Sequence, residues 1–155
     1  MTPFSSTEQR QPSDECLRIG VLDLQGGVAE HAAHIEAVGA DPVRIKKPAA
    51  VEDVDGLIIP GGESTCLRRL MDTMGLTEAV RDAAVRGLPL WGTCAGAILL
   101  AAEVDGESAH MGLIDIAVRR NAFGSQLNSF VSAAAIPEVA SHPVPLVFIR
   151  APQIV

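Results

Sequence analysis

Leu90-Trp91-Gly92-Thr93-Cys94-Ala95-Gly96 is the stretch on which the fold reading turns: a short apolar run, then Gly-x-Cys-x-Gly, then small and apolar residues through Ala102. The pattern predicts a buried strand passing through a sharp turn into a helix over Ala95 to Ala102, the cysteine form of a nucleophile elbow. Glycines two residues either side of the cysteine are needed where a side chain would clash across such a turn. The turn lifts Cys94 clear of the sheet and sets it at a helix N-terminus, where the backbone dipole favours the thiolate. The N–H of Ala95 is then well placed to stabilise an oxyanion. Taken alone, the same residues also fit a buried cysteine flanked by glycines.

The segments around it carry the same architecture. Asp55-Gly56-Leu57-Ile58-Ile59-Pro60 reads as a strand running into Gly61-Gly62-Glu63-Ser64-Thr65. Consecutive glycines there leave N–H groups free for a carboxylate or an oxyanion. A plain turn with Ser64 as helix cap fits that segment equally well, and no Gly-Lys-Ser/Thr follows to make it a P-loop. Arg18 to Leu24 is a first strand closed by Gln25-Gly26-Gly27, and Val28, Ala32, Ile35 and Val38 recur at helical spacing before a stop at Gly39. Pro42 to Ile45 is a second strand. Ser64 is expected to cap a helix through Leu67, Leu70 and Met71, and Thr77 one through Val80, Ala84 and Val85; Gly87 then stops the chain before a strand over Leu88 to Trp91. Strands alternating with helices predict an α/β fold, a three-layer open mostly parallel sheet with helices on both faces, flavodoxin-like. In such a sheet both glycine-bearing loops open at the carboxyl ends of strands, where ligands bind. Ile114 to Val118, Phe130 to Ala135 and Pro145 to Ile149 read as further strands with little helix between them, and Arg150 to Val155 closes no element. The fold is therefore expected to miss its last elements.

Composition sets the bounds. At 155 residues and 16.2 kDa there is room for one ordinary domain, expected over residues 18–155 behind a polar, disordered extension over residues 1–17. Aromatics are 3%, with no Tyr and one Trp, which argues against a stacking platform for single-stranded nucleic acid. Twelve basic against 19 acidic residues leave a net charge of −7, which repels phosphate backbones and anionic membranes. Small molecules or another protein are the expected partners, with no nucleic acid and no membrane. No stretch is apolar enough to span a bilayer and the N-terminus has no signal-type apolar region, so a cytoplasmic location is expected. Cys16, Cys66 and Cys94 lie far apart, with neither a disulfide framework nor metal-ligand spacing, so no metal is expected.

Read together, Gly61-Gly62-Glu63-Ser64-Thr65 and Gly92-Thr93-Cys94-Ala95-Gly96 resemble the class I triad glutamine amidotransferases. Within them the chain resembles the PdxT family, the glutaminase subunits of pyridoxal 5′-phosphate synthase. Leu24-Gln25-Gly26 with Glu30-His31, Arg119-Arg120-Asn121-Ala122-Phe123-Gly124, and Val147-Phe148-Ile149-Arg150-Ala151-Pro152 extend the match in one order from Arg18 onward. The resemblance implies that Cys94 attacks the side-chain amide of L-glutamine, releasing ammonia and leaving a glutamyl thioester that water hydrolyses to glutamate. It implies that Gly62, Glu63, Ser64, Arg120, Ile149 and Arg150 hold the glutamine, the forked guanidinium of Arg120 suiting a carboxylate. It further implies that Gln25 helps organise the oxyanion hole when a PdxS-family synthase subunit docks as hetero-oligomer. No cofactor is expected, since pyridoxal phosphate would be the product of the complex. A different elbow-cysteine hydrolase is disfavoured by the Arg119 and Val147 motifs.

The family's relay, a His-Pro-Glu segment beyond the Ile-Arg-Ala-Pro motif, has no counterpart before Val155. His31 and His34 read as surface or satisfied interface histidines, and His110 as a loop residue with nothing to orient it. Ser141-His142-Pro143 precedes the Ile-Arg-Ala-Pro motif and is followed by Val144-Pro145 where Glu would be needed, so His142 is not read as the base. The alternative is then a truncated, catalytically incomplete chain acting at most as a docking module. Removing one member of such a relay costs on the order of a millionfold in rate in a serine hydrolase. Glutamate release from L-glutamine by these 155 residues alone is accordingly expected to stay at the level of a Cys94→Ala control; turnover well above that control would overturn the expectation.

Overall fold

The computed structural model describes residues 16–105, 107, 109–122 and 129–155. The expected extension lies outside the described residues up to residue 15, as do Phe123 and Gly124 of the Arg119 motif. The first half of the chain runs β1 (Arg18–Leu22), α1 (Val28–Ala37), β2 (Asp41–Ile45), a 3-10 turn over Pro48–Asp53, β3 (Gly56–Ile59), α2 (Ser64–Thr73), α3 (Leu76–Val85) and β4 (Leu90–Gly92). These strands form a parallel sheet in the order β2-β1-β3-β4. The order reverses between β1 and β3: the chain leaves β1 toward one edge and β3 toward the other. A crevice opens at such a switch point beyond the carboxyl ends of the strands.

Strand side chains alternate between faces and so divide the core. Val21 and Ile58 meet Val28 and Ile35 of α1 on one side. Leu22, Ile45, Leu57 and Ile59 meet Leu67 and Met71 of α2, and Leu76 and Val80 of α3, on the other. The expected three layers are therefore present. The sheet tolerates a glycine at position 20 because its neighbours fill the space: a Cβ there would lie 3.0 Å from Ile45 and from Leu57 side-chain atoms. β4 is the outer strand of this sheet, and Trp91 on it is 60% exposed.

The remaining elements are α4 (Ala95–Leu100), β5 (Ala101–Val104), β6 (Ile114–Arg119), β7 (Phe130–Ala134), β8 (Val144–Phe148) and β9 (Gln153–Ile154). β5 and β6 pair in parallel, β9 adds antiparallel to the end of β6, and β7 and β8 form an antiparallel hairpin in which Phe130 stacks on Phe148.

Four local expectations change. The helix of small residues stops at Leu100, because Ala101 turns extended (φ −58, ψ 151) to pair with Ile114 of β6. The cap of α2 is Glu63 rather than Ser64: its two carboxylate oxygens accept the N–H groups of Thr65 at 3.0 Å and Cys66 at 2.7 Å. Thr77 lies inside α3, whose cap is Gly75 at φ 69, so that α2 reverses into α3 in a two-residue turn; the Thr77 hydroxyl donates to Asp72 Oδ1 at 2.6 Å. The last residues do form an element, since Gln153 and Ile154 pair with Arg119 and Val118. Two residues after a proline give no periodic signal, so only the neighbouring strand end reveals them.

α4 lies directly against β3. A Cβ on Gly96 would fall 2.0 Å from the carbonyl oxygen of Ile59, which is backbone and cannot rotate away. Gly96→Ala is expected to cost about 3 kcal/mol or more, at the upper end of overpacking effects. For a chain of this length that is a fall on the order of 10 °C in Tm, measurable by circular dichroism. An unchanged Tm would show that α4 can slide off the sheet freely.

Candidate active site

Three loops meet where β1, β3 and β4 end. Cys94 follows β4 as the cap residue of α4 and carries a backbone φ of 48 and ψ of −104, with its side chain exposed. A non-glycine residue with φ above zero is uncommon, and such strain persists only where surrounding contacts impose it. Here they do. Besides the Gly96 contact, a Cβ on Gly92 would sit 2.5 Å from Ala97 N and Gly96 C, so neither glycine flanking the cysteine admits a side chain. Ala95, 1% exposed, is the first residue of α4.

The loop after β3 is clamped from both sides. The Gly61 N–H donates to Thr93 Oγ1 at 2.9 Å, and the Gly61 carbonyl accepts from Gly27 N–H at 3.2 Å. Gly26, at φ 88, passes so close that a Cβ there would overlap the Gly61 oxygen at 1.7 Å. Gln25 reads the backbone of Glu63 with both ends of its amide: Nε2 donates to the carbonyl at 3.0 Å and Oε1 accepts the N–H at 3.3 Å. A side chain at Gly62 would strike this amide at 2.6 Å. The N–H groups of Thr65 and Cys66 hold the Glu63 carboxyl below its ordinary range.

A cleft of about 650 Å³ opens over these loops. Of the residues implied for the site, Cys94, Gly62, Glu63, Ser64, Arg120, Ile149 and Arg150 all line it. Gln25 sits behind the loop it holds, and Ala95 is buried beneath Cys94. Asn121 and Arg150, also on the wall, have φ of 50 and 49, so the three positive-φ residues other than glycine among the described residues share this one cleft. The far wall depends on β9, whose pairing with the end of β6 brings Arg150 and Ala151 beside Arg120 and Asn121.

The sequence pattern passes over several members. Thr93 is one; a hydroxyl directly before the elbow cysteine is the available signal. Asn121 is another: it lies within the Arg119 motif without a role read for it there, and its backbone conformation marks it. His31 lines the cleft, with Nε2 3.0 Å from Thr93 Oγ1 and its ring edge-on to Trp91. Burial, helped by the nearby His34 and opposed by Glu30, lowers its pKa from the ordinary 6.5. His34 stays on the outer face of α1, with Nδ1 2.7 Å from the Glu30 carbonyl. His110 is oriented after all: its side chain is 9% exposed, with Nε2 3.4 Å from both Asp72 Oδ1 and Thr77 Oγ1. Those partners come from the α2–α3 turn, far away in sequence. His142 is exposed in the connection before β8 and does not reach the cleft. Among the described residues no helix is long and apolar enough to cross a membrane.

An open parallel sheet whose strand-end loops bring a strained elbow cysteine against a glycine-rich loop and two arginines defines the class: an α/β protein with a cleft at the carboxyl ends of its strands. The match to known proteins is specific. A model of the SNO glutamine amidotransferase family matches residues 21–155, and the chain belongs to that family. It is 57% identical over 136 residues to the pyridoxal 5′-phosphate synthase subunit PdxT of Syntrophus aciditrophicus, covering 88% of this chain and 61% of that protein. To the subunit of the same name from Clostridium kluyveri it is 50% identical over 139 residues, covering 89% of this chain and 74% of that protein. A solved structure, a crystal structure of a glutamine amidotransferase, superposes with a TM-score of 0.80 at 39% identity, over 88% of this chain and 72% of that one. The family and fold expected from the five ordered motifs are thus those found.

The lowered His31 pKa has a consequence for stability. An unfolded chain takes up a proton at this histidine near pH 6.5, while the folded site resists it until lower pH. The native state therefore loses stability as pH falls below about 6.5. His31→Gln is expected to flatten the dependence of the urea midpoint on pH between about 7 and 5; an unchanged slope would remove His31 as its source.

Proposed function

We propose that the cleft hydrolyses the side-chain amide of L-glutamine to L-glutamate and ammonia, and that the ammonia passes to a PdxS-family synthase subunit for pyridoxal 5′-phosphate formation. The observation that carries this reading is a convergence: Cys94, Asn121 and Arg150, on three different loops, all hold the uncommon positive φ around one cleft. Conformations of this kind gather at functional sites.

In this reading the α-carboxylate of glutamine meets Arg120, with Gly62, Glu63, Ser64, Ile149 and Arg150 enclosing the rest. The Cys94 sulfur attacks the amide carbon, and the oxyanion that forms is held by the Ala95 N–H together with the loop that Gln25 steadies. The C–N bond then breaks, the nitrogen leaves as ammonia carrying the proton that the Cys94 thiol gave up, and a glutamyl thioester remains on Cys94. Water attacks that thioester, giving glutamate and the free thiol. No cofactor takes part, and the setting is cytoplasmic.

A second reading, a catalytically incomplete chain that docks on the synthase, is supported by one observation. The histidine that lines the cleft is His31, and its ring nitrogen faces the Thr93 hydroxyl, whereas a relay needs a histidine directed at the thiol. Both readings require bound glutamine or a bound synthase, and they separate cleanly. Millimolar L-glutamine is expected to slow alkylation of Cys94 by iodoacetamide several-fold, and Arg120→Ala to abolish that protection. Glutamate release in the presence of the synthase subunit, dependent on Cys94, would exclude the docking-only reading. Absence of protection in folded protein would overturn the glutamine site itself.

A further inference from the structure

We propose that Glu107 is the positioning residue of Arg120, setting the direction of the guanidinium that receives the substrate carboxylate. The inference rests on the glutamine reading above and adds to it a residue outside every motif that pointed to the site.

The turn after β5 clasps the end of β6. Its backbone is tied down at two points, Asp105 N–H to the Val118 carbonyl and Glu107 N–H to the Val104 carbonyl, each at 2.9 Å. From these two positions Asp105 and Glu107 reach the two neighbouring arginines at the end of β6. Asp105 lies 3.7 Å from Arg119, and Glu107 Oε1 accepts from an Arg120 terminal nitrogen at 2.6 Å. The 2.6 Å contact has the length of a strong charge-assisted hydrogen bond, while the 3.7 Å contact is only an ion pair.

Such a half-exposed pair adds little to stability. What it does fix is a direction. Arginine is a long side chain with many rotamers, and Arg120 stands between two spaces. On one side is the large cleft with Cys94. On the other is a smaller cavity of about 130 Å³, lined by Arg120 and Glu107 together with Arg68 and His110. Held at one terminal nitrogen, Arg120 keeps its remaining donors for the cleft and keeps a planar fork ready for a carboxylate. Glu107 stands on the side of the smaller cavity and not in the cleft, so it anchors the guanidinium from behind; without it the side chain spreads over its rotamers, and substrate binding must first recover one. Glu107 therefore acts on binding and not on the attack at the thiol.

The test reads binding and chemistry separately without needing turnover. A chloroketone analogue of L-glutamine alkylates the thiol from within the cleft, and its concentration dependence yields KI and kinact. Glu107→Ala is expected to raise KI roughly tenfold, the scale of a lost hydrogen bond to a charged group, with kinact within about twofold. Glu107→Gln, whose amide oxygen still accepts from the guanidinium, is expected to restore most of the affinity. Arg120→Ala should raise KI as well, and adding Glu107→Ala to it should change nothing more. A Glu107→Ala KI equal to that of the unaltered protein, while Arg120→Ala shifts it, overturns the role of Glu107 alone. An effect of Glu107→Ala that persists without Arg120 overturns it too. Inactivation that does not saturate in the unaltered protein, or that ignores Arg120→Ala, overturns the glutamine site and this inference with it.

Discussion

The site depends on backbone approaching backbone at distances that no side chain would allow. Gly96 passes against the Ile59 carbonyl, Gly92 against the first turn of α4, and Gly26 against the Gly61 carbonyl. These contacts draw the ends of β1, β3 and β4 together until loops that are remote in sequence share hydrogen bonds. They also leave Cys94 no ordinary conformation, because the glycines on either side are pinned. Strain at the cysteine is thus imposed from the sheet outward, and the rigid parallel core holds it there.

The contacts around this point form a connected frame. Thr93 joins the elbow to Gly61 and to His31 on α1, while Gln25 joins the first loop to Glu63. Glu63 in turn caps α2, so the orientation of that helix and the shape of the glycine-rich loop are set by one residue. A shift in any of the three loops is felt by the other two. Tied together in this way, the loops keep Cys94 and the backbone of the glycine-rich loop at fixed distances. The opposite wall is built differently. It comes from β6, β9 and the segments beside them, and the tie to β6 is short: Val118 pairs with Ile154 and Arg119 with Gln153, and the Val155 N–H donates to the Ala117 carbonyl at 3.0 Å. The Cys94 side is therefore held by the main sheet, and the arginine side by a short antiparallel clasp and by Asp105 and Glu107.

Elements built on local pattern are legible in the amino-acid sequence. The strands of the main sheet are apolar runs closed by glycine or proline, and α1 shows helical spacing with a glycine stop, so β1, β2, β3 and α1 lie where periodicity puts them. Elements governed by contacts distant in the chain are not legible in this way. The end of α4 is set by the pairing of Ala101 with Ile114, the start of α3 by the left-handed Gly75, and β9 by the end of β6. His110 has no local support along the chain because Asp72 and Thr77, which orient it, belong to the α2–α3 turn.

The sequence by itself determined the alternation of strands and helices in the main sheet, the elbow at Cys94 and the glycine-rich loop, because each follows from residues adjacent in the chain: hydrophobic period, glycine placement and the residue that must stand exposed between two glycines. The tertiary structure alone decided which side chains stand together. Thr93, Asn121, His31 and Glu107 carry no local signal strong enough to place them, and what makes each matter is a partner brought near by parallel strand pairing and by the crossing of loops at the switch point. Hydrogen bonds and ion pairs act over a few ångströms in space and ignore separation along the chain, which is why a site assembled from separate loops can be suspected from its motifs but only built by the fold.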